Sequence, residues 1–200
     1  MTGRPDVRVV PANEAAWDDI RAIFGTRGAC SRCWCQRFKL APGESFGGFP
    51  DEERAFRLRQ QTDAGHPESD ATSGLVAFLA DEPVGWCAVE PRSAYDGLVR
   101  VFRVPWDGRD EDRSDPSVWA VTCLLARAGF RRRGVSRALV AAAVAHARSR
   151  GARALEGYPM TTTDAIAEDL HVGTLATYEA AGLRLVSRPT LRRAVVRIDF

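Results

Sequence analysis

The junction "CLLARAGFRRRGVSRALV", residues 123–140, constrains the fold of this chain more than any other stretch. An apolar run leads into a turn rich in arginine, and an uninterrupted helical pattern follows, which is typical of α/β domains. At such a junction the first N–H groups of the helix lack partners, and the helix dipole favours phosphate. Gly134 permits close approach of the backbone. The arginines that can pair with phosphate oxygens are Arg131, Arg132, Arg133 and Arg137.

The rest of the chain alternates in the same way between strand and helix patterns. Apolar runs of strand length and helical spacings predict about seven strands and about four helices, in the order β-α-α-β-β-β-α-β-α-β-β. Asn13 is the predicted N-cap of the first helix, which runs to Phe24. We therefore expect one α/β (α+β) domain over residues 1–200, with a cysteine- and glycine-rich loop at 29–50 and an irregular acidic insertion at 92–117.

Length and charge exclude several classes of function. The 200 residues suit one medium domain, and the net charge of +2 gives no global field for nucleic acid or an anionic membrane. No apolar run approaches the roughly 18 residues of a membrane span, and the opening "MTGRPDVRVV" lacks the pattern of a signal peptide. We expect a cytoplasmic protein without a nucleic-acid or membrane partner.

Two motifs resemble those of a known family. The run Arg131-Arg132-Arg133-Gly134-Val135-Ser136 is similar to the Gln/Arg-x-x-Gly-x-Gly/Ala signature of the GNAT superfamily of acyl-CoA-dependent N-acyltransferases, and "TYEAAGL", with Tyr178 and Gly182, is similar to the family's Tyr-x-x-x-Gly-Phe. The resemblance covers roughly residues 5–200. It departs from the family at Ser136 (usually glycine or alanine), Leu183 (usually phenylalanine) and His171 (often asparagine). It implies a GNAT-like fold, in which a mixed, mostly antiparallel sheet flanked by helices has a splay between its central strands.

The resemblance also implies an activity. The chain is expected to be an N-acetyltransferase that moves the acetyl group of acetyl-CoA to a primary amine of a small molecule or peptide, by direct attack through a tetrahedral intermediate. The pantetheine arm is expected to pair with backbone at Leu125, Ala126 and Arg127, and an N–H near Leu125 or Ala126 to stabilise the oxyanion. A homodimer is possible, as in many members. The residues implied to hold the pyrophosphate are Arg131, Arg132, Arg133, Gly134, Val135, Ser136 and Arg137.

Three residues are candidates for the proton transfers. By resemblance Tyr178 is the acid that protonates the departing thiolate; the alternative is a tyrosine packed on its helix face with Leu175. Glu156 and Glu90 lie in apolar segments, where burial raises a carboxylate pKa towards the range of a useful base. Either could instead be a salt-bridge partner of an arginine, and a water relay could replace a single base.

Two further stretches remain open. The five acids from Asp107 to Asp115 form either a solvated loop or a rim that favours a cationic acceptor. Cys30, Cys33 and Cys35 have the Cys-x-x-Cys step of a zinc site without a second pair, so a metal site, a redox pair and a reduced, partly buried loop are all considered. We expect no metal. By resemblance this segment borders the acceptor side, so Trp34 and the cysteines are expected to form the wall of the acceptor pocket or its packing. If Cys33–Cys35 is extended, both sulfurs share one face and the indole of Trp34 takes the other.

Two other functions compete with the transferase. One is a binding or regulatory protein of the same fold that senses acyl-CoA without turnover. The other is a zinc- or redox-dependent module centred on the cysteines.

Overall fold

Within residues 6–162, 164–165 and 169–200, which the computed structural model describes, seven strands form one sheet. Their order across the sheet is β1-β2-β3-β4-β5-β7-β6. β4 and β5 pair in parallel, and the other neighbours are antiparallel. The strands are β1 (Val7–Pro11), β2 (Leu75–Leu79), β3 (Glu82–Pro91), β4 (Val118–Ala126), β5 (Ala154–Gly157), β6 (Arg184–Thr190) and β7 (Arg193–Asp199). The mixed, mostly antiparallel sheet predicted from the sequence is confirmed.

The same described ranges contain six α-helices, which cover both faces of the sheet. They are α1 (Trp17–Phe24), α2 (Gly28–Cys33), α3 (Asp51–Thr62), α4 (Asp96–Arg100), α5 (Val135–Ser149) and α6 (Leu175–Glu179). On α5, Leu139, Ala143 and Ala147 recur every four residues and are fully buried, so this stripe packs α5 on one face of the sheet together with α6. The opposite face carries Trp86 and Cys123, and α1 packs there. No described helix is long and apolar enough to cross a membrane.

The two parallel strands separate halfway along β4. β5 pairs with β4 only from Val118↔Ala154 to Val121↔Gly157, while β4 continues to Ala126 with β3 as its partner. Pro159, which has no N–H, follows shortly after β5. Met160 then forms isolated β-bridges with Thr174 and Arg193. Thr122 is an extra residue in β4, because the pairing with β3 shifts between Ala88 and Val89. The open side of residues 122–126 is called the β4–β5 gap below.

The N-terminal helix begins later than predicted. Ala12–Glu14 form a separate 3₁₀ turn, and α1 begins at Trp17, so Asn13 is not its N-cap. Asn13 is buried, and its side-chain amide donates to the carbonyl of Ser69 at 2.9 Å. Its side chain therefore binds a loop that is distant in sequence and does not cap a helix.

Both segments predicted as loops contain short helices. Within 29–50, α2 is followed by the 3₁₀ turns Gln36–Phe38 and Phe46–Gly48. Within 92–117, α4 lies between the turns Arg92–Ala94 and Val104–Trp106. The two segments meet in one cluster, in which Phe38 packs with Tyr95 and Trp106.

Candidate active site

The turn between β4 and α5 is built to present backbone N–H groups to an anion. Gly134 is the N-cap of α5 with φ +86°, and Arg132 before it also has a positive φ of +62°. No side chain caps the first turn of the helix, so its free N–H groups remain available to a ligand. A surface pocket at this point is lined by Ala126, Arg132, Gly134, Val135, Ser136 and Arg137.

The arginines of this turn supply positive charge that is not neutralised internally. Arg131, Arg132, Arg133 and Arg137 are exposed, and none of them forms an ion pair with another residue in the described part of the chain. Arg127 is different, since it is half-buried and pairs with Glu82 at 2.9 Å. The residues around Gly134 therefore form a cationic pocket that fits a pyrophosphate.

In the β4–β5 gap, the backbone groups of residues 122–126 do not have β5 as a pairing partner. The N–H of Arg127 donates to the carbonyl of Val84 at 2.8 Å, so Arg127 faces β3, and strand alternation gives Leu125 the same direction. Leu124 and Ala126 therefore turn their N–H and C=O groups towards the gap. Of the three residues predicted to meet a pantetheine arm, Ala126 faces the gap, whereas Leu125 and Arg127 face β3. Leu124, which was not predicted, also faces the gap. The alternation of the strand, once its pairing partner is known, is the signal that identifies Leu124.

Tyr178 of α6 lies against the end of β5, beside the gap. A Cβ added to Gly157 would lie 2.8 Å from Cδ1 of the tyrosine, and one added to Gly173 would lie 2.9 Å from Cε2. The ring is thus held between two glycines. It is fully buried, its hydroxyl donates to the carbonyl of Val172 at 2.9 Å, and burial raises the pKa of Tyr178 well above its ordinary value.

Glu156 is enclosed by arginines on the face of the sheet opposite α5. Arg92 lies 3.2 Å and Arg197 2.9 Å from its carboxylate, and Arg109 also contacts it. These three arginines around Glu156 are called the arginine cluster. Burial alone would raise the pKa of Glu156, but the hydrogen bonds and charges of the arginine cluster outweigh it and hold that pKa below its ordinary value. A carboxylate with a lowered pKa is a weak base.

The acidic insertion also forms ion pairs, some of them with the arginine cluster. Glu111 lies 3.4 Å from both Arg92 and Arg197, and Asp115 pairs with Arg153 at 2.6 Å. Two of the five acids are thus used in internal ion pairs, while Asp107, Asp110 and Asp112 are exposed, so the rim for a cationic acceptor stays a prediction.

Glu90 has a different environment at the end of β3. Its carboxylate forms an ion pair with Lys39, and Ser73 donates to it at 2.5 Å. The Lys39 ammonium also contacts the Ser73 hydroxyl at 3.1 Å and lies 5.1 Å from the centroid of the Tyr95 ring. The side chains of Glu90 and Lys39 are 14% and 9% exposed, so both are largely buried but less so than Glu156, which is fully buried. The group Lys39, Ser73, Glu90 and Tyr95 is called the Glu90 cluster.

Two buried hydroxyl groups connect the Glu90 cluster to the β4–β5 gap. The hydroxyls of Tyr95 and Thr122 lie beside each other, yet neither has a hydrogen-bond partner of good geometry among the described residues. Burial and the charge of Glu90 raise the pKa of Tyr95 well above its ordinary value. Glu90 itself lies opposite Ala120, which still pairs with Glu156 of β5, so the Glu90 cluster reaches the start of the gap through Tyr95 and Thr122. Nothing in the sequence marks Lys39, Tyr95 or Thr122 locally, apart from Lys39 being the single lysine.

The cysteine segment is not extended. α2 ends at Cys33, and Trp34 and Cys35 both have left-handed backbone conformations, with φ of +46° and +54°. The extended conformation under which both sulfurs would share one face is therefore not present. Trp34 stacks on Phe24 with ring centroids 4.8 Å apart, and Trp86 donates its indole N–H to the sulfur of Cys35 at 3.2 Å.

These thiols have the environment of packed side chains. A hydrogen bond with Cys123 and burial raise the pKa of Cys35 well above its ordinary value, which keeps the thiol protonated. None of the five cysteines, all of which lie in the described ranges, forms a disulfide, and the described residues contain no group of three or more His, Cys, Asp or Glu side chains that could hold a metal ion.

Comparison with known proteins identifies the family. Residues 35–171 match the model of the acetyltransferase (GNAT) family, which is more than half of the chain. No curated protein sequence is similar enough to this chain to count as a relative.

Solved structures support the same fold. A GCN5-related N-acetyltransferase from Kribbella flavida superposes with a TM-score of 0.53 at 18% identity, covering 97% of this chain and 98% of the other. The N-acetyltransferase from Staphylococcus aureus Mu50 gives 0.53 at 12% identity, covering 97% and 98%. Salmonella typhimurium yncA, solved with its cofactor acetyl-CoA, gives 0.53 at 13% identity, covering 96% and 93%. The resemblance found in the sequence motifs is confirmed: the chain belongs to the GNAT acetyltransferase family and is an acyl-CoA-dependent acetyltransferase with acetyl-CoA as its co-substrate.

Proposed function

We propose that this enzyme transfers an acetyl group to a primary amine of a small molecule or peptide, and that the amine attacks the thioester directly beside Glu90. The observation that carries the proposal is the position of the Glu90 carboxylate, which is partly exposed and lies opposite Ala120, two residues before the β4–β5 gap opens. Acetyl-CoA supplies the activated acyl group and a thiolate leaving group. Every other requirement falls on residues of the chain.

The cationic pocket fits the pyrophosphate of the co-substrate. The uncapped N–H groups of the first turn of α5 can donate to phosphate oxygens, and Arg132 and Arg137 line the same pocket. In this proposal Ser136 and Val135 contribute their backbone N–H groups, and Arg131 and Arg133 add attraction from the exposed rim.

The open backbone of β4 orients the acyl chain. Leu124 and Ala126 offer N–H and C=O groups to an extended pantetheine arm, as a neighbouring strand would. An N–H that faces the gap can also donate to the thioester oxygen as negative charge develops there, and such preorganised donors contribute about 3–4 kcal/mol in characterised enzymes.

Glu90 is proposed as the base and Tyr178 as the acid. An alkyl ammonium with a pKa near 10 must lose a proton before it attacks, and Glu90 is the less buried of the two candidate carboxylates. Tyr178 keeps its proton because burial raises its pKa, and its ring lies beside the gap where the thiolate departs. Glu156 is proposed to have a structural role and no role as the base, because the arginine cluster keeps its carboxylate ionised.

A screen of thiol release tests this proposal. Enzyme and acetyl-CoA are mixed with a panel of primary amines that includes peptides with free N-termini and aminoglycosides, and free thiol is measured over time. We expect release that depends on one class of amine, together with a rise in melting temperature when acetyl-CoA binds.

A second candidate is an acyl-CoA sensor of the same fold that does not turn over. It is favoured by two contacts: the Glu90 carboxylate is already paired with Lys39, and the Tyr178 hydroxyl is engaged with Val172. A sensor would show the melting shift without thiol release across the whole panel. In either case five cysteines without a disulfide fit a reducing compartment, so we propose a cytoplasmic location, and we also propose a homodimer.

A further inference from the structure

Lys39 is unusual because it is the one lysine of the chain and because its side chain is largely buried. The chain has 27 arginines and one lysine, and that lysine is buried in the Glu90 cluster, with its side chain 9% exposed. Arginine would serve as well for a simple surface charge, as it does elsewhere in this chain. A lysine differs because its amine can lose a proton and act as a nucleophile, whereas a guanidinium stays charged.

The contacts of Lys39 aim its ammonium at the reacting region. Its nitrogen contacts the Glu90 carboxylate and the Ser73 hydroxyl, and it lies 5.1 Å from the centroid of the Tyr95 ring. Tyr95 in turn lies beside Thr122, the extra residue of β4 at the start of the β4–β5 gap. The chain thus places a primary amine of its own where the proposed acceptor amine must lie.

From this geometry we infer that Lys39 is itself an acetylation site, and that the enzyme transfers an acetyl group from acetyl-CoA to the Lys39 amine. The inference rests on the proposed function, because it uses the same site with an internal acceptor. Glu90 takes a proton from the Lys39 ammonium, and the neutral amine forms an amide bond to the acetyl carbon as the bond from that carbon to sulfur breaks. Acetyl-CoA and Lys39 ammonium give acetyl-Lys39, coenzyme A thiol and one proton.

Acetylation changes the site that performs it. The amide has no charge, so Glu90 loses its counter-ion and keeps only the Ser73 contact. An ammonium from outside no longer has to displace Lys39 from the carboxylate. Modification of Lys39 therefore converts an internally neutralised Glu90 into one that is free to receive an acceptor amine.

Intact-mass spectrometry of the full chain tests the inference, because one lysine makes the assignment simple. We measure the mass of the protein as purified and after incubation with isotopically labelled acetyl-CoA. Hydroxylamine treatment then removes thioesters from cysteines, and digestion separates the peptide of Lys39 from the peptide of the N-terminal amine. Lys39→Arg is the matched control, since it keeps the cation without a reactive amine. Excess coenzyme A competes for the cationic pocket, and heat-unfolded protein reports non-enzymatic acetylation.

The expected result is one hydroxylamine-stable acetyl group on Lys39 in the folded wild type, suppressed by excess coenzyme A and lacking in both Lys39→Arg and unfolded protein. Lys39 that stays unmodified while acetyl-CoA raises the melting temperature and external amines are acetylated would overturn the inference and leave the proposed function intact. Equal labelling of folded and unfolded protein would also overturn it. If acetyl-CoA neither binds nor labels the protein, the proposed function fails together with the inference.

Discussion

Replacing Glu156 with glutamine separates a structural role of this residue from a catalytic one. Glu156→Gln keeps the shape of the side chain and removes the charge at the centre of the arginine cluster. Glu156 and Arg92 are fully buried, and Arg109 and Arg197 are 7% and 13% exposed. All three guanidinium groups would then share the Glu111 carboxylate, and Arg197 would also keep its ion pair with Asp199.

The magnitude follows from this burial. Removing one partner of a buried ion pair costs about 3–5 kcal/mol, because the charges left behind stay out of water. For a chain of this length each kcal/mol shifts the melting temperature by about 2–4 °C, so we expect a fall of roughly 6–20 °C. Glu111→Gln is the matched control, since Glu111 contacts the same arginines but is 27% exposed, and it should cost about 1 kcal/mol or less.

Urea denaturation of the wild type and both variants measures these differences, and thiol release at a temperature where all are folded measures activity. We expect Glu156→Gln to lose stability while the folded fraction still releases thiol. Unchanged stability together with lost thiol release would refute the reasoning, since it would make Glu156 the base.

Three smaller predictions concern other positions. Gly134→Val forces a β-branched residue into φ +86° at the N-cap of α5, so the acetyl-CoA-induced rise in melting temperature should disappear; a full rise would contradict the anion site. Gly157→Ala places a Cβ inside the Tyr178 ring, and we expect a loss of about 1–3 kcal/mol in urea denaturation with reduced thiol release, whereas wild-type values would mean that the ring has room to move. Burial lowers the pKa of His146 from 6.5 to about 4, so His146 of the unfolded chain is protonated at a higher pH than His146 of the folded chain. The free energy of unfolding therefore falls as the pH drops from 6.5 towards 4, by up to about 1.4 kcal/mol per pH unit. His146→Phe should flatten this slope, and an identical slope would exclude His146 as its source.

Much of the fold could be predicted because its signals are local. Most strands are apolar runs, with the exposed and largely polar β6 as an exception, and the α5 stripe repeats every four residues within one segment. The anion site is also local, since Gly134 and its arginines are neighbours in sequence. The positive φ of Gly134 and Arg132 is what a tight turn at that place requires.

The rest depends on contacts between distant residues. Lys39 and Glu90 are 51 positions apart, and Arg197 and Glu111 are 86 apart, so no window of sequence shows either pair. The sequence alone therefore leaves the acidic insertion open to two interpretations. Asn13 failed as an N-cap for the same reason, because its side chain holds a loop more than 50 residues away.

The most direct test of the account compares thiol release by the wild type and Glu90→Gln, with acetyl-CoA and the best amine of the panel. Positioned general bases contribute about 10²–10⁴-fold, so we predict a loss of that size in kcat, with the acetyl-CoA-induced melting shift retained because the cationic pocket is untouched. The loss should be smaller at high pH, where the amine is already neutral. Wild-type kcat in Glu90→Gln at neutral pH would contradict the central claim that the acceptor amine meets its base at Glu90.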